Sequence, residues 1–302
     1  MKPGKLNILI TGSNGLLGQA VSKMFLRETD HNLLVTSAEE YSYIYDKCEY
    51  KTLDITSKDD VKKAASEFSP NVMINCAAFT NVDACETERE ASWKINVDGV
   101  KNLIIAARIN SARVIHFSTD YVFDGRNGPY SEDDVPNPIS FYGREKLASE
   151  NALKTSDIEH AIIRTLVIYG TGKNVKPNFA LWLVDKLSNN ELVNVVTDQI
   201  SNTTMVEDLA VGTIRIVARG CTGIYNIAGP DVISRYTFAH NLCEVFGYDK
   251  GLVRPITTEM LNQPAPRPMR SGLTTFKAEA ELGFKPMDSM EGLRFLKFQL
   301  GQ

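Results

Sequence analysis

The segment "LNILITGSNGLLGQA" at 6–20 restricts the fold more than any other stretch of the chain. A β-branched apolar run leads straight into a turn carrying Gly12, Gly15 and Gly18, and an amphipathic helix follows. Strand, glycine-rich turn and helix in that order make the first half of a parallel crossover unit. The rhythm then repeats. Apolar runs of strand length at 32–36, 72–76, 113–118, 160–168 and 224–227 alternate with helical periodicity, at about 15–28, 57–68 and 88–110 for the crossovers. This predicts an α/β fold, a doubly wound parallel sheet with helices on both faces. After Gly172 the alternation loosens and prolines and glycines gather. We therefore expect a dinucleotide-binding core over 1–170, rejoined by 205–228, and a smaller C-terminal substrate lobe from 171–204 and 229–302.

Bulk properties narrow the function. A net charge of -4 with scattered basic residues gives no reason to expect a nucleic-acid or membrane partner. No apolar run approaches the ~20 residues of a membrane span, and no signal-peptide pattern precedes the first strand, so the expected location is the cytoplasm. The five cysteines are widely spaced without a CxxC pair, and the four histidines form no ligand cluster; no metal is expected.

Glycines 12, 15 and 18 follow a GxxGxxG spacing. In the strand-to-helix context they let a pyrophosphate approach backbone N–H groups at a helix N-terminus. The cofactor type is ambiguous. Glu39 and Glu40 come slightly late for a ribose contact and no basic residue appears before Lys47, so both NADPH and NADH are expected to bind, with a preference under ~100-fold. Asp54 suits either the adenine amino group or the capping region of the next helix. "NCAAFT" at 75–80 ends a buried strand in the small residues Ala77 and Ala78, which admit a flat cofactor. "HFSTDYVFDG" at 116–125 ends another in hydroxyls and aromatics.

These motifs fall in a characteristic order. Gly12/Gly15/Gly18, Asn75-Cys76-Ala77-Ala78, Asn96, Ser118-Thr119-Asp120-Tyr121 and Tyr142-x-x-x-Lys146 resemble the Rossmann-like extended short-chain dehydrogenase/reductase superfamily. More narrowly, "FSTDYVFDG", "FYGREKLASE", "IIRTLVIYG", "DQISNTT" with "EDLA", "GIYNIAG" and "RPMRSGLTT" are similar to the dTDP-4-dehydrorhamnose reductase family, over nearly the whole chain. The resemblance implies a catalytic set of Thr119, Tyr142 and Lys146. It places Gly12, Asn14, Gly15, Leu16, Leu17, Gly18, Asp54, Ile55, Ala77, Ala78 and Asn96 at the cofactor, together with Tyr142 and Lys146. It puts Thr119 and Tyr121 at the substrate, where Asp120 beside them and Arg267 are also expected. The implied reaction is NAD(P)H-dependent reduction of the C4 ketone of a nucleotide-linked deoxysugar, dTDP-4-dehydro-L-rhamnose to dTDP-L-rhamnose, in surface polysaccharide synthesis.

The chemistry fits those residues. A ketone that accepts hydride needs a proton as its oxygen gains charge. Tyrosine, with an ordinary pKa near ~10, is a weak donor at neutral pH, and a neighbouring ammonium lowers that value. Positions i and i+4 share a helix face, so Lys146 is expected to reach both Tyr142 and the cofactor ribose. Thr119 would hold the carbonyl. Arg267, with Lys277 further on, follows a proline-rich loop that would either fold over the cleft and offer paired donors to a diphosphate or stand as an exposed basic loop.

Some positions depart from the family pattern. Val167 stands where relatives often carry tryptophan in "RTxWxYG", which puts the particular sugar in doubt. Ala20 aligns with the acidic residue of metal-supported dimeric members, so magnesium is not expected; the homodimer remains an open option. Arg270 replaces asparagine in "RPxNS", at a diphosphate or on the surface. Two other functions compete: an NADP-binding regulatory subunit resembling the methionine adenosyltransferase β subunit, and another nucleotide-sugar epimerase or dehydratase. A dehydratase is expected to follow Thr-Asp with glutamate, and this chain has Tyr121 there.

Overall fold

The computed structural model describes residues 4–44 and 48–302. Strand β1 (Asn7–Thr11) runs into helix α1 (Leu16–Glu28), followed by β2 (Asn32–Ser37), β3 (Glu49–Thr52), α2 (Lys58–Phe68) and β4 (Val72–Asn75). Two short helices, α3 (Val82–Thr87) and α4 (Arg89–Trp93), and a π-helical turn at Lys94–Asp98 lead to α5 (Gly99–Asn110). Then come β5 (Arg113–Thr119), α6 (Phe141–Lys154), β6 (His160–Thr165), β7 (Ile168–Tyr169), α7 (Phe179–Ser188) and β8 (Val193–Val196). The chain continues through β9 (Ile200–Ser201), β10 (Thr204–Met205), α8 (Val206–Arg219), β11 (Gly223–Asn226), β12 (Ile233–Ser234) and α9 (Arg235–Phe246). It ends with β13 (Val253–Ile256), α10 (Phe276–Leu282) and α11 (Ser289–Gln299).

Among the described residues seven strands form one sheet in the order β11-β6-β5-β4-β1-β2-β3, and every neighbouring pair is parallel. Because the strand order reverses between β1 and β4, the crevice beyond their carboxyl ends is where a doubly wound sheet binds its ligand. Side chains alternate across the sheet as the pleat requires. Ile8, Ile10, Val35, Ile74 and Ile163 enter one buried cluster with Val21 and Phe25 of α1 and Leu209 of α8. Leu9, Leu34, Met73, Val114 and Ile162 enter the other, with Val61 of α2 and Leu103 of α5. A separate cluster, built on Leu183, Val193, Val195, Phe238, Leu242, Leu293 and Leu296, holds the smaller assembly of α7, α9, α11 and the β8/β13 pair. Among the described residues no helix is long and apolar enough to cross a membrane.

Three features differ from the sequence reading. The sequence 49–52, "EYKT", has no apolar run, yet it pairs with β2 as the sheet's edge strand, where only one side needs a partner. The helix expected over 88–110 is interrupted by the π-helical turn, which widens the spiral where Asn96 faces inward. The run 160–168 is not one strand. Val167 has φ +43°, a left-handed value that a β-branched residue adopts at a cost, and the chain turns there out of the sheet.

Candidate functional site

The first turn after β1 forms a cradle, and its three glycines do different work. Gly12 has φ +66° and passes so close to the loop after β4 that a Cβ would lie 2.5 Å from the Ala77 nitrogen. A Cβ on Gly18 would overlap the Gly12 carbonyl oxygen, so this glycine seats the helix against the turn. Gly15 faces outward: only Gly12 O, at 3.4 Å, would meet its Cβ. It is also the N-cap of α1 and supplies no side-chain acceptor, which leaves first-turn N–H groups open to an anionic ligand.

A cleft of about 510 Å³ lies over this cradle. Of the residues expected at the cofactor, Gly12, Asn14, Gly15, Leu16, Asp54, Ile55, Ala77 and Ala78 line it. Leu17, Gly18, Asn96, Tyr142 and Lys146, also expected at the cofactor, do not. Leu17 packs into the core behind the turn. The Asn14 side chain points away from a ligand role: its amide donates to Glu39 and to Tyr41 O and accepts from Tyr43 N–H, fixing the loop after β2. Asp54 accepts from Thr56 N–H, while Ser57 caps α2. Glu39, late in sequence, nevertheless lines the cleft beside Ser37 and Ala38, and its carboxylate is held by Ser37 and Asn14. Lys47 lies outside the described residues.

Asn96 is a second correction. It is 1% exposed, absent from the cleft lining, and fully occupied by protein. Its Oδ1 accepts from Phe79 N–H at 2.8 Å, and its Nδ2 donates to Phe79 O at 3.0 Å and Glu145 Oε2 at 2.9 Å. Asn96 thereby clamps the loop that forms the far wall of the cleft. Glu145, which the sequence reading did not single out, completes the clamp by accepting from Ser92 Oγ at 2.5 Å. No linear pattern marks it, since one carboxylate on a helix is ordinarily solvated.

Thr119 ends β5, and Tyr142 and Lys146 sit in the first two turns of α6, whose N-cap Ser140 accepts from Gly143 N–H at 3.1 Å. Thr119 Oγ1 donates to Asp120 Oδ1 at 3.0 Å and accepts from Tyr121 N–H. Asp120 also accepts from Ser271 Oγ, and its burial pushes its pKa up to about 6 despite those bonds. The Tyr142 ring packs edge-on against Tyr121, with centroids 5.7 Å apart. Burial drives the Tyr142 phenol upward, with Asp120, Cys85, Tyr121 and Glu145 adding to the shift. The expected acidification by Lys146 is therefore reversed among the protein groups: the phenol holds its proton. Lys146, 2% exposed, turns to the back of the site and donates to Phe117 O at 2.6 Å, with His116 Nε2 at 3.2 Å. Burial lowers its pKa to about 8, against the raising effect of Glu150 and Glu145.

A second cleft, about 710 Å³, meets the first at Thr80, which lines both. Tyr121, Val167, Phe179, Trp182, Arg235 and Arg267 are among its walls. Arg267 is not the open fork expected. It donates to Asp83 Oδ2 at 2.8 Å and to Ala265 O at 2.8 Å. Lys277 is remote, donating to Ile224 O at the sheet edge over the Tyr225 ring, and Arg270 is exposed. Arg235 was missed in the sequence because "ISRYTFAH" reads as an ordinary helix start.

Comparison with known proteins gives consistent matches. The profile of the RmlD substrate binding domain matches residues 6–297. A dTDP-4-dehydrorhamnose reductase of Aggregatibacter actinomycetemcomitans is 33% identical, over 96% of this chain and 98% of its own. The methionine adenosyltransferase 2 subunit beta of Xenopus laevis is 32% identical, over 90% of this chain and 81% of its own. Among solved structures, the dTDP-4-dehydrorhamnose reductase of Bacillus anthracis, in complex with NADP, superposes with a TM-score of 0.87 at 28% identity, covering 98% of this chain and 99% of that one.

Proposed function

Because the chain belongs to the RmlD substrate binding domain family, the dTDP-4-dehydrorhamnose reductase group within the extended short-chain dehydrogenases, we propose that it reduces the C4 ketone of a nucleotide-linked deoxysugar with NADPH. The preferred substrate in this reading is dTDP-4-dehydro-L-rhamnose, and the product serves surface polysaccharide synthesis. The observation that carries the reading is the meeting of two clefts at Thr80. One lies over the glycine cradle; the other is walled by Tyr121, whose ring packs on Tyr142.

The cradle suits a dinucleotide. Gly15 leaves room for phosphate oxygens, the α1 N–H groups are uncapped, and Ala77 and Ala78 keep the opposite wall low. NADPH, when bound, supplies the hydride. Everything else falls to this chain's side chains. Tyr142, kept protonated by burial, gives its proton to the C4 oxygen as that oxygen gains charge; such donation contributes roughly 10²–10⁴-fold in rate. Thr119 orients the carbonyl by a hydrogen bond, which requires its hydroxyl to turn from Asp120. Lys146, one turn after Tyr142 on α6, holds its ammonium on the Phe117 carbonyl; a turn of that side chain toward Tyr142 would let it stabilise the phenolate left after transfer.

Incubating the protein with NADPH and dTDP-4-dehydro-6-deoxy-L-mannose, generated in place, tests the proposal. Loss of NADPH absorbance together with formation of the 4-hydroxy sugar is the expected result. Tight NADPH binding without reduction of any 4-keto sugar nucleotide would overturn it. The regulatory role carried by the Xenopus relative would then be tested by binding to a methionine adenosyltransferase catalytic chain.

A further inference from the structure

Arg235 occupies a position that neither the sequence motifs nor the proposed reaction uses. It opens α9 immediately after the N-cap Ser234, and its backbone N–H donates to Gln199 O at 3.2 Å. The side chain lines the second cleft. Among the described residues no carboxylate lies within ion-pair distance of it, and Nη1 is shut off from solvent without a hydrogen-bond partner. A guanidinium taken out of water normally comes with a counter-charge, since its desolvation is otherwise uncompensated. Arg267, in the same cleft, has that counter-charge in Asp83. Arg235 has no such ion pair among the described residues: the face of Phe179 lies 5.3 Å from its guanidinium carbon, and the buried Asp120 acts on it only at longer range.

Its location tells what would complete it. In the cleft stand Phe179 and Trp182, stacked rings 6.0 Å apart at 21°, a wall suited to a flat base. Tyr121 lines the same cleft and packs on Tyr142, where the sugar would react, and both Tyr121 and the neighbouring Asp120 feel the charge of Arg235. A guanidinium in one cleft with a base-sized wall and a sugar site lies where the linking group of a nucleotide-sugar passes. We propose that Arg235, rather than Arg267, is the diphosphate anchor of the substrate cleft, its planar fork taking two phosphate oxygens. This inference rests on the nucleotide-sugar reading above. Arg267 then acts through Asp83, holding the 264–268 loop over α3.

The test is titration of dTDP, dTMP and thymidine into the protein saturated with NADPH, so that the cofactor cleft is filled. Arg235→Gln should weaken dTDP by about 30- to 100-fold, weaken dTMP less, and leave thymidine and NADPH affinities as in wild type. Arg235→Lys, which keeps the charge and loses the fork, should fall between. If wild type binds dTDP and Arg235→Gln binds it within about threefold of wild type, the anchor lies elsewhere and the reductase reading stands. If wild type binds neither dTDP nor UDP while holding NADPH, both the anchor and the nucleotide-sugar reading fail. Unchanged NADPH affinity in the variants distinguishes either outcome from misfolding.

Discussion

Replacing Asn96 by alanine removes the clamp between the π-helical turn and the wall of the cofactor cleft. Three hydrogen bonds go at once, two to the Phe79 backbone and one to Glu145. Glu145 keeps Ser92, but its other oxygen and the two Phe79 groups lose their partners. A buried polar group left unpaired costs about 1–3 kcal/mol. Phe79 is only half-buried and water can reach it in part, so the expected total is about 2–4 kcal/mol. Against a domain stability of about 5–15 kcal/mol, the variant still folds. Urea denaturation followed by circular dichroism should show a lower midpoint with an unchanged slope. NADPH affinity should fall alongside, because the Ala77–Thr80 wall loses its support. A loss of stability below about 1 kcal/mol would refute the clamp. A variant as stable as wild type but poor in NADPH binding would restore Asn96 as a direct cofactor ligand.

The cradle glycines should separate in experiment. Gly18→Ala drives a methyl into the Gly12 carbonyl and should cost about 3 kcal/mol or more, read as a fall in Tm. Gly15→Ala, by contrast, should keep its Tm and lose about tenfold in NADPH affinity, since its methyl points to the ligand side. Removing the carboxylate in Glu39→Gln should shift the NADPH-to-NADH affinity ratio about tenfold toward NADPH, because a negative charge at the end of β2 opposes a 2'-phosphate; an unmoved ratio would place the ribose elsewhere. Lys146 gives a pH signature. Its folded pKa of about 8 lies below its ordinary 10.5, so the folded state releases its proton first as pH rises. Stability relative to Lys146→Met should therefore increase between pH 8 and 10.5, by about 3 kcal/mol, and a flat difference across that window would mean the ammonium is well solvated.

Much of this was readable in the linear chain because local rules and the global fold agree. Gly12 and Gly15 announce the crevice since strand, turn and helix are contiguous; Ala77 and Ala78 do so since they end a buried strand. Legibility failed where a contact joins distant segments. Asn96 meets Phe79 across 17 residues, Arg267 meets Asp83 across 184, and Lys146 finds the Phe117 carbonyl on a neighbouring strand. The i to i+4 spacing put Tyr142 and Lys146 on one face, but burial turned the ammonium toward β5. Strand β3 was missed because an edge strand does not need apolar residues, and Arg235 because its environment is assembled from α7, the turn after β5 and the 261–268 loop.

The central claim is that Tyr142 delivers the proton to a sugar ketone, and Tyr142→Phe tests it most directly. The change keeps the ring against Tyr121 and removes one hydroxyl. With NADPH and dTDP-4-dehydro-6-deoxy-L-mannose, turnover measured by NADPH absorbance should fall by roughly 10²–10⁴-fold while NADPH affinity stays within about threefold of wild type. A Tyr142→Phe protein that retains more than about a tenth of the wild-type kcat would contradict the assignment.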